Sequence, residues 1–153
     1  MGADPTHLSF LHCYFTLRPN FDYLSFLIKE VRLDIEESDI NNLTALGLVY
    51  KDGDRRQIQF LVQNGAKIDR PMFPMGKTLL MDASERGDTS MFEFLLKMGA
   101  SKDLRCTMGR SIQDYIKLDY QGKTLLAKQE MNRLVYRDFL FRAATGQWKP
   151  HVH

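Results

Sequence analysis

Cysteine is scarce in this chain: Cys13 and Cys106 are the two among 153 residues, and they stand far apart. That usage excludes the disulfide framework of a small secreted domain and fits a reducing compartment. Long apolar runs are missing as well. None approaches the roughly 20 residues of a membrane-spanning helix, and the opening MGADPTHLSF shows no charged-then-apolar signal sequence. Neither sign of charge dominates. The formal net charge is +2 with no dense basic stripe, which excludes a dedicated nucleic-acid binder. Gly-rich phosphate loops, Cys-x-x-Cys pairs and His-Glu-x-x-His are absent too. What remains is 44% apolar and 26% charged, the composition of a globular protein, in one domain's length of chain with enough residues to bury a core. The expectation is a single domain over residues 1–153, located in the cytosol.

What is present is an internal repeat, the first thing to settle in any sequence that has one. In TALGLVYKDGDRRQIQFLVQNGAKID, Thr44, Gly53, Gly65, Ala66 and Asp69 match Thr78, Gly87, Gly99, Ala100 and Asp103 of TLLMDASERGDTSMFEFLLKMGASKD without a gap. Ser111 follows Thr78 by 33 residues. The later copy reads as a helix running from the hydroxyl N-cap Thr78 to Gly87, then a turn and a second helix. Thr89 opens that second helix, and Gly-Ala closes the corresponding helix in both copies. The spacing predicts helix pairs over 44–51 with 56–63 and over 78–85 with 90–97. Ile58, Phe60, Leu61 and Val62, and later Met91, Phe92, Leu95 and Leu96, supply apolar faces for a core. Asn42, Gly76 and Gly109 each precede the next Thr or Ser by two residues, and Asn and Gly are the types that tolerate positive φ in a turn.

A helix–turn–helix–hairpin unit repeated at about 33 residues resembles the ankyrin repeat. The starts TALGLV, TLLMDA and SIQDYI and the exits GAKID and GASKD are similar to that family's T-P-L-H-x-A and G-A-D-V-N. The match is strong from about Asn42 to Gly109 and looser on both sides, and the Pro and His of the start are missing in every copy. The resemblance implies an all-α, ankyrin-like helix-turn-helix solenoid of about four repeats with β-hairpin-type loops. Its terminal units are degenerate caps: an N-terminal repeat over about 6–38, repeats over about 39–72 and 73–105, and a modified repeat with a capping helix over about 106–146. Gln113 at an apolar core position marks the last copy as modified. Residues 123–145 form one longer helical pattern with Leu126, Leu134, Phe139 and Leu140 among its apolar residues. Its Arg133, Arg137 and Arg142 read as the solvated face of a cap.

Chemistry is harder to find. His7 and His12 near Cys13 form the best nucleophile-and-base candidate, the core of a rival reading as an enzyme or small-molecule binder. No orienting acid or oxyanion-type loop accompanies them. The acid pairs Glu36-Glu37 and Asp52/Asp54 sit at predicted turns, where solvated carboxylates are ordinary. His151 and His153 read as a frayed tail rather than a metal site. Gly2 and Thr6 formally fit a myristoylation pattern, but no second anchoring signal follows. No catalytic residue, metal, cofactor, membrane or nucleic-acid partner is expected.

The resemblance implies instead a protein partner, bound by hairpin tips and the exposed side of first helices, to a monomer or within a hetero-complex. By alignment the contact residues are Ile40, Asn41, Leu43, Lys51 and Asp52, then Pro74, Met75, Lys77, Glu85 and Arg86, then Thr107, Met108, Arg110, Leu118 and Asp119. The loop DRPMFPMGK is one residue longer than DLRCTMGR, with Phe73 where the first copy has Asp39. Met72, Phe73 and Met75 between two prolines are expected as exposed apolar anchors, the alternative being that Phe73 folds back onto the neighbouring hairpin. Small ankyrin proteins occur as viral mimics of host inhibitors, bacterial effectors and toxin-neutralising partners. The resemblance therefore implies a stand-alone inhibitor or adaptor, acting in host cytosol in the viral or effector case.

Overall fold

Side-chain acceptors that start helices and glycines that stop them cut this chain into short elements. The computed structural model describes residues 10–16, 21–117 and 125–146. Eight helices lie among them: α1 (Phe10–Thr16), α2 (Phe21–Lys29), α3 (Ala45–Asp52), α4 (Arg55–Gln63), α5 (Leu79–Arg86), α6 (Thr89–Lys97), α7 (Ile112–Lys117) and α8 (Leu125–Ala144). No strand occurs among the described residues. The hairpin loop before α5 holds an isolated antiparallel bridge between Phe73 and Lys77.

Both predicted helix pairs are present within a residue or so of their expected bounds. Thr78 Oγ1 accepts the Met81 N–H at 3.3 Å and caps α5. Helix α6 starts differently from expectation. Asp54 and Asp88 accept the N–H groups of Gln57 and Met91, so carboxylates open both second helices and Thr89 is already helical. Asp is the stronger N-cap of the two residue types. At the far ends, Ala66 and Ala100 N–H donate back to Leu61 and Leu95 carbonyls at 3.0 Å, closing the last turn.

The helices form two rows. In the inner row α5 packs on α7, while α3 packs on α4 and α5 on α6 across the rows. In the outer row, Phe21 of α2 stacks on Phe60 of α4 at 4.7 Å, and Arg55 of α4 lies 5.7 Å over Phe94 of α6. Arg137 of α8 then reaches Glu93 of α6 at 2.6 Å. Between the rows runs one core that includes Leu46, Ile58, Leu61, Leu79, Leu80, Met81, Phe92 and Leu95, all fully buried. Each such side chain contributes roughly 1.5–3 kcal/mol by leaving water.

Gln113 does not join this core. Ile112, Tyr115 and Ile116 are buried and Gln113 is exposed. The i, i+3, i+4 face of α7 belongs to the three apolar residues and turns the amide to solvent. The long terminal helix is present as α8, where Met131 and Leu134 are buried but Phe139 and Leu140 are exposed.

Candidate functional site

Three hairpin tips project beyond the inner row, and their backbones are equivalent. Asp39, Phe73 and Cys106 N–H donate to the carbonyls of Leu43, Lys77 and Arg110 at 2.9, 3.2 and 3.1 Å. Asn42, Gly76 and Gly109 N–H return to the carbonyls of Asp39, Phe73 and Cys106, and these three residues have φ of 62°, 69° and 72°. The filling of each tip differs. The Asp39 carboxylate accepts from Asn41 and Leu43 N–H, both at 2.9 Å. The second tip lacks that carboxylate and forms a 3-10 turn over Pro74–Gly76. It is tied instead to the third, because the Thr107 N–H and hydroxyl both donate to the Met75 carbonyl, at 2.9 and 2.8 Å. Each tip holds a large apolar side chain in water: Ile40 is 99% exposed, Met75 57% and Met108 56%.

Several expected contact residues lie elsewhere. Met72 and Phe73 are only 3% and 8% exposed, so they are core and not anchors. The Phe73 ring meets Tyr50 edge-on at 5.6 Å, and the Thr44 hydroxyl donates to Met72 Sδ at 3.1 Å. The loop folds these two side chains back over α3, which removes from water the apolar surface that was expected to be exposed. Leu43 is buried as well. Pro74 and Thr107 are exposed, as are Asn41, Lys51 and Asp52, while Arg110 is half-buried. Leu118 and Asp119 lie outside the described residues.

Lys77 and Glu85 are half-buried and bonded to each other, so they are committed inside the protein. They belong to a network that the sequence reading missed, centred on Asp82. This buried carboxylate accepts the Tyr50 hydroxyl at 2.8 Å, pairs with Arg86 Nε at 2.9 Å, and lies 3.7 Å from Lys77 Nζ. Burial, and then the Asp82 charge, push the Tyr50 hydroxyl well above the ordinary tyrosine range. Two cations and two anions balance one another, which a buried charge requires. The available signal was an acid followed by Arg at i+4, with Asp82 directly after the apolar run Leu79, Leu80 and Met81. Arg86, with a side chain 55% exposed, is the member that reaches solvent beside the tips.

Cys13 is buried. His7 and the His12 side chain lie outside the described residues, as do Gly2, Thr6, Leu126's side chain, His151 and His153. Among the described residues no group of three His, Cys, Asp or Glu is placed to hold a metal, and no helix is long and apolar enough to cross a membrane. Cys106 is also buried. Burial pushes its thiol up, but hydrogen bonds from the Tyr115 hydroxyl and the Arg110 and Met108 backbone outweigh this and leave it below the ordinary value.

The arginines of α8 are more than a solvated face. Arg137 bonds Glu93 of α6, and Arg142 bonds Asp138 at 2.9 Å and the Ala100 carbonyl at 3.4 Å. Asp138 also takes Lys102 at 2.8 Å. Arg133 pairs with Glu130 within its own helix. Between α6 and α8 lies a groove of about 510 Å³ lined by Leu96, Leu134 and Phe141 along with the Arg137–Glu93 and Arg142–Asp138 pairs.

A family model described as Ankyrin repeats (3 copies) matches residues 7–106. Among curated proteins, none matches the chain. The matched span takes in α1 to α6 and the three-tip region as far as Cys106, and it stops short of α7 and α8.

Proposed function

The chain belongs to the ankyrin-repeat family, whose members generally bind other proteins, and from that premise we propose that its hairpin tips are the contact surface for a partner protein. The observation that carries this reading is the row of exposed apolar side chains, Ile40, Met75 and Met108, one on each successive tip. Isolated exposed apolar residues are ordinary. One at each of three successive tips is a surface from which a partner would displace water, at roughly 25 cal/mol per Å² of apolar area covered. Asn41, Lys51, Asp52, Arg86 and Arg110 supply a polar rim, which gives orientation and partner choice more than affinity. Leu43, Met72, Phe73, Lys77 and Glu85 serve by holding the tips in shape. The mode of action is occupation of a partner's surface, as an inhibitor or adaptor, in the reducing cytosol where two buried thiols stay free.

The test is capture. A partner isolated on the wild-type chain should bind the triple variant Ile40→Ser, Met75→Ser, Met108→Ser at least ~10-fold more weakly, a loss of about 1.4 kcal/mol, with unchanged melting. Arg56→Glu, on the exposed side of α4, should bind normally. The reverse result would move the contact surface to the outer helices.

A further inference from the structure

Both ends of the stack expose aromatic side chains where another outer helix would pack. At one end α2 meets α4 through Phe21 and through Ser25, which bonds Asn64 at 3.2 Å. Its opposite side carries Tyr23 and Phe26, 45% and 51% exposed, their rings stacked at 6.3 Å. At the other end α8 meets α6 through Arg137 and the groove residue Leu134. Its far side carries Tyr136 and Leu140, 63% and 48% exposed, with Phe139 between them. Tyr136, Phe139 and Leu140 stand at i, i+3, i+4 and so form a second apolar stripe on one helix. Terminal units of a solenoid ordinarily present a polar outer face. Here neither does.

The two ends differ in charge. Residues 21–38 hold Asp22, Glu30, Asp34, Glu36 and Glu37 against Lys29 and Arg32, whereas residues 125–146 hold Lys128, Arg133, Arg137 and Arg142 against Glu130 and Asp138. Beside the apolar faces, Asp22, Phe26 and Glu30 form one i, i+4, i+8 column. Arg133 precedes Tyr136 by three residues and Leu140 by seven, on the same strip of α8. Pairing like ends would oppose acid to acid or Arg133 to Arg133, while pairing unlike ends opposes Asp22 and Glu30 to Arg133.

We propose that the occupant of both faces is a second copy of this chain, stacked head to tail so that Tyr23 and Phe26 of one copy cover Tyr136, Phe139 and Leu140 of the next. The contact is heterologous and does not close on itself, so it adds copies along the stack axis. It is also small. One helix face against another falls in the class under about 1,200 Å², which is weak and concentration-dependent. It uses neither the hairpin tips nor Arg86, so its failure would leave the partner-binding reading untouched.

Sedimentation equilibrium on the full chain tests this. The average mass of the wild type should rise from one chain to at least twice that as concentration increases to about 500 µM, the range for a contact of this size. Phe26→Ser and Tyr136→Ser, both at exposed positions, should each return the mass to one chain. Mixed in equal amounts, they should form a one-to-one pair and nothing larger, because each keeps one intact end. Glu30→Lys should also dissociate the stack, and Arg133→Glu in the same chain should restore it. A wild type of single-chain mass throughout, or association that survives both serine variants, would overturn the proposal. So would a mixture that stays monomeric, or a dimer lost with Tyr136→Ser but kept with Phe26→Ser, which would be an α8-to-α8 pair.

Discussion

At the scale of single residues, the most constrained position is Gly76. Its φ is 69°, and a Cβ placed there would stand 2.9 Å from Thr107 Cγ2, the residue whose N–H and hydroxyl hold the Met75 carbonyl. Gly109 has a similar φ of 72°, but a Cβ there meets nothing within 4 Å. Gly109→Ala should therefore lose about 1–2 kcal/mol, the cost of the left-handed conformation alone. Gly76→Ala should lose a further 1 kcal/mol or so from crowding. Urea unfolding of the two variants measures the difference, and equal losses would mean that the Thr107 side chain swings aside freely. The need for positive φ at 42, 76 and 109 was legible, because Asn and Gly at one offset share that single property. The crowding was not, since it arises between two tips that only the stacked fold brings together. Asp82 escaped notice for a related reason. Its partners Tyr50, Lys77 and Arg86 come from three elements, and nothing local marks a carboxylate as buried.

At the scale of elements, Glu93 joins α6 to α8. Its carboxylate accepts from Arg137 at 2.6 Å and lies 3.4 Å from Lys97 one turn on. The Arg137 hydrogen bond, then that of Lys97, holds the carboxyl below its ordinary range. The folded value is the lower one, so the unfolded chain binds the proton more readily. The contribution is thus fully present above the unfolded value of about 4.3 and is lost as pH falls through the folded value. Glu93→Gln should melt lower than wild type at pH 7 and converge with it as the pH falls through the lowered folded value. A carboxylate 34% exposed is screened by water, so the difference at pH 7 should be only about 0.2–1 kcal/mol. A difference that persists in acid would assign the effect to packing instead. The extent of α8 was readable from its run of helix-compatible residues. Which side it buries was not, because apolar residues lie all round it. Met72 and Phe73 posed the same ambiguity in a loop: apolar side chains between prolines can turn outward or inward, and the Tyr50 ring, which settles the matter, is remote in sequence.

For the molecule as a whole, each unit leans only on its neighbours, and the middle repeat is the one that both flanks share. Leu80 and Leu95 are fully buried there. Leu80→Ala and Leu95→Ala should each lose about 2–5 kcal/mol. Hydrogen exchange followed by mass spectrometry should then show α7 and α8 losing protection separately from α3 and α4. A uniform loss across the chain would mean that the stack opens as one cooperative unit. The repeat spacing made this architecture readable before any coordinate, since Thr44, Thr78 and Ser111 mark the unit and Gly-Ala marks its end. The terminal units were readable only in outline, because their departures from the repeat are what let them serve as ends.

The lacing of Thr107 to Met75 has a consequence for how distance is kept within the molecule. Between the second and third tips, main chain is bonded to main chain, whereas along the outer row the links include exposed side-chain pairs such as Arg137 with Glu93 and Arg55 with Ser90. A bending load should therefore stretch the outer row first and leave the separation of Met75 and Met108 nearly unchanged. Between these two tips the edge behaves as a ruler whose graduations hold while the body behind it flexes. A partner whose own binding points are spaced otherwise would have to deform itself, since this edge will not yield to meet it.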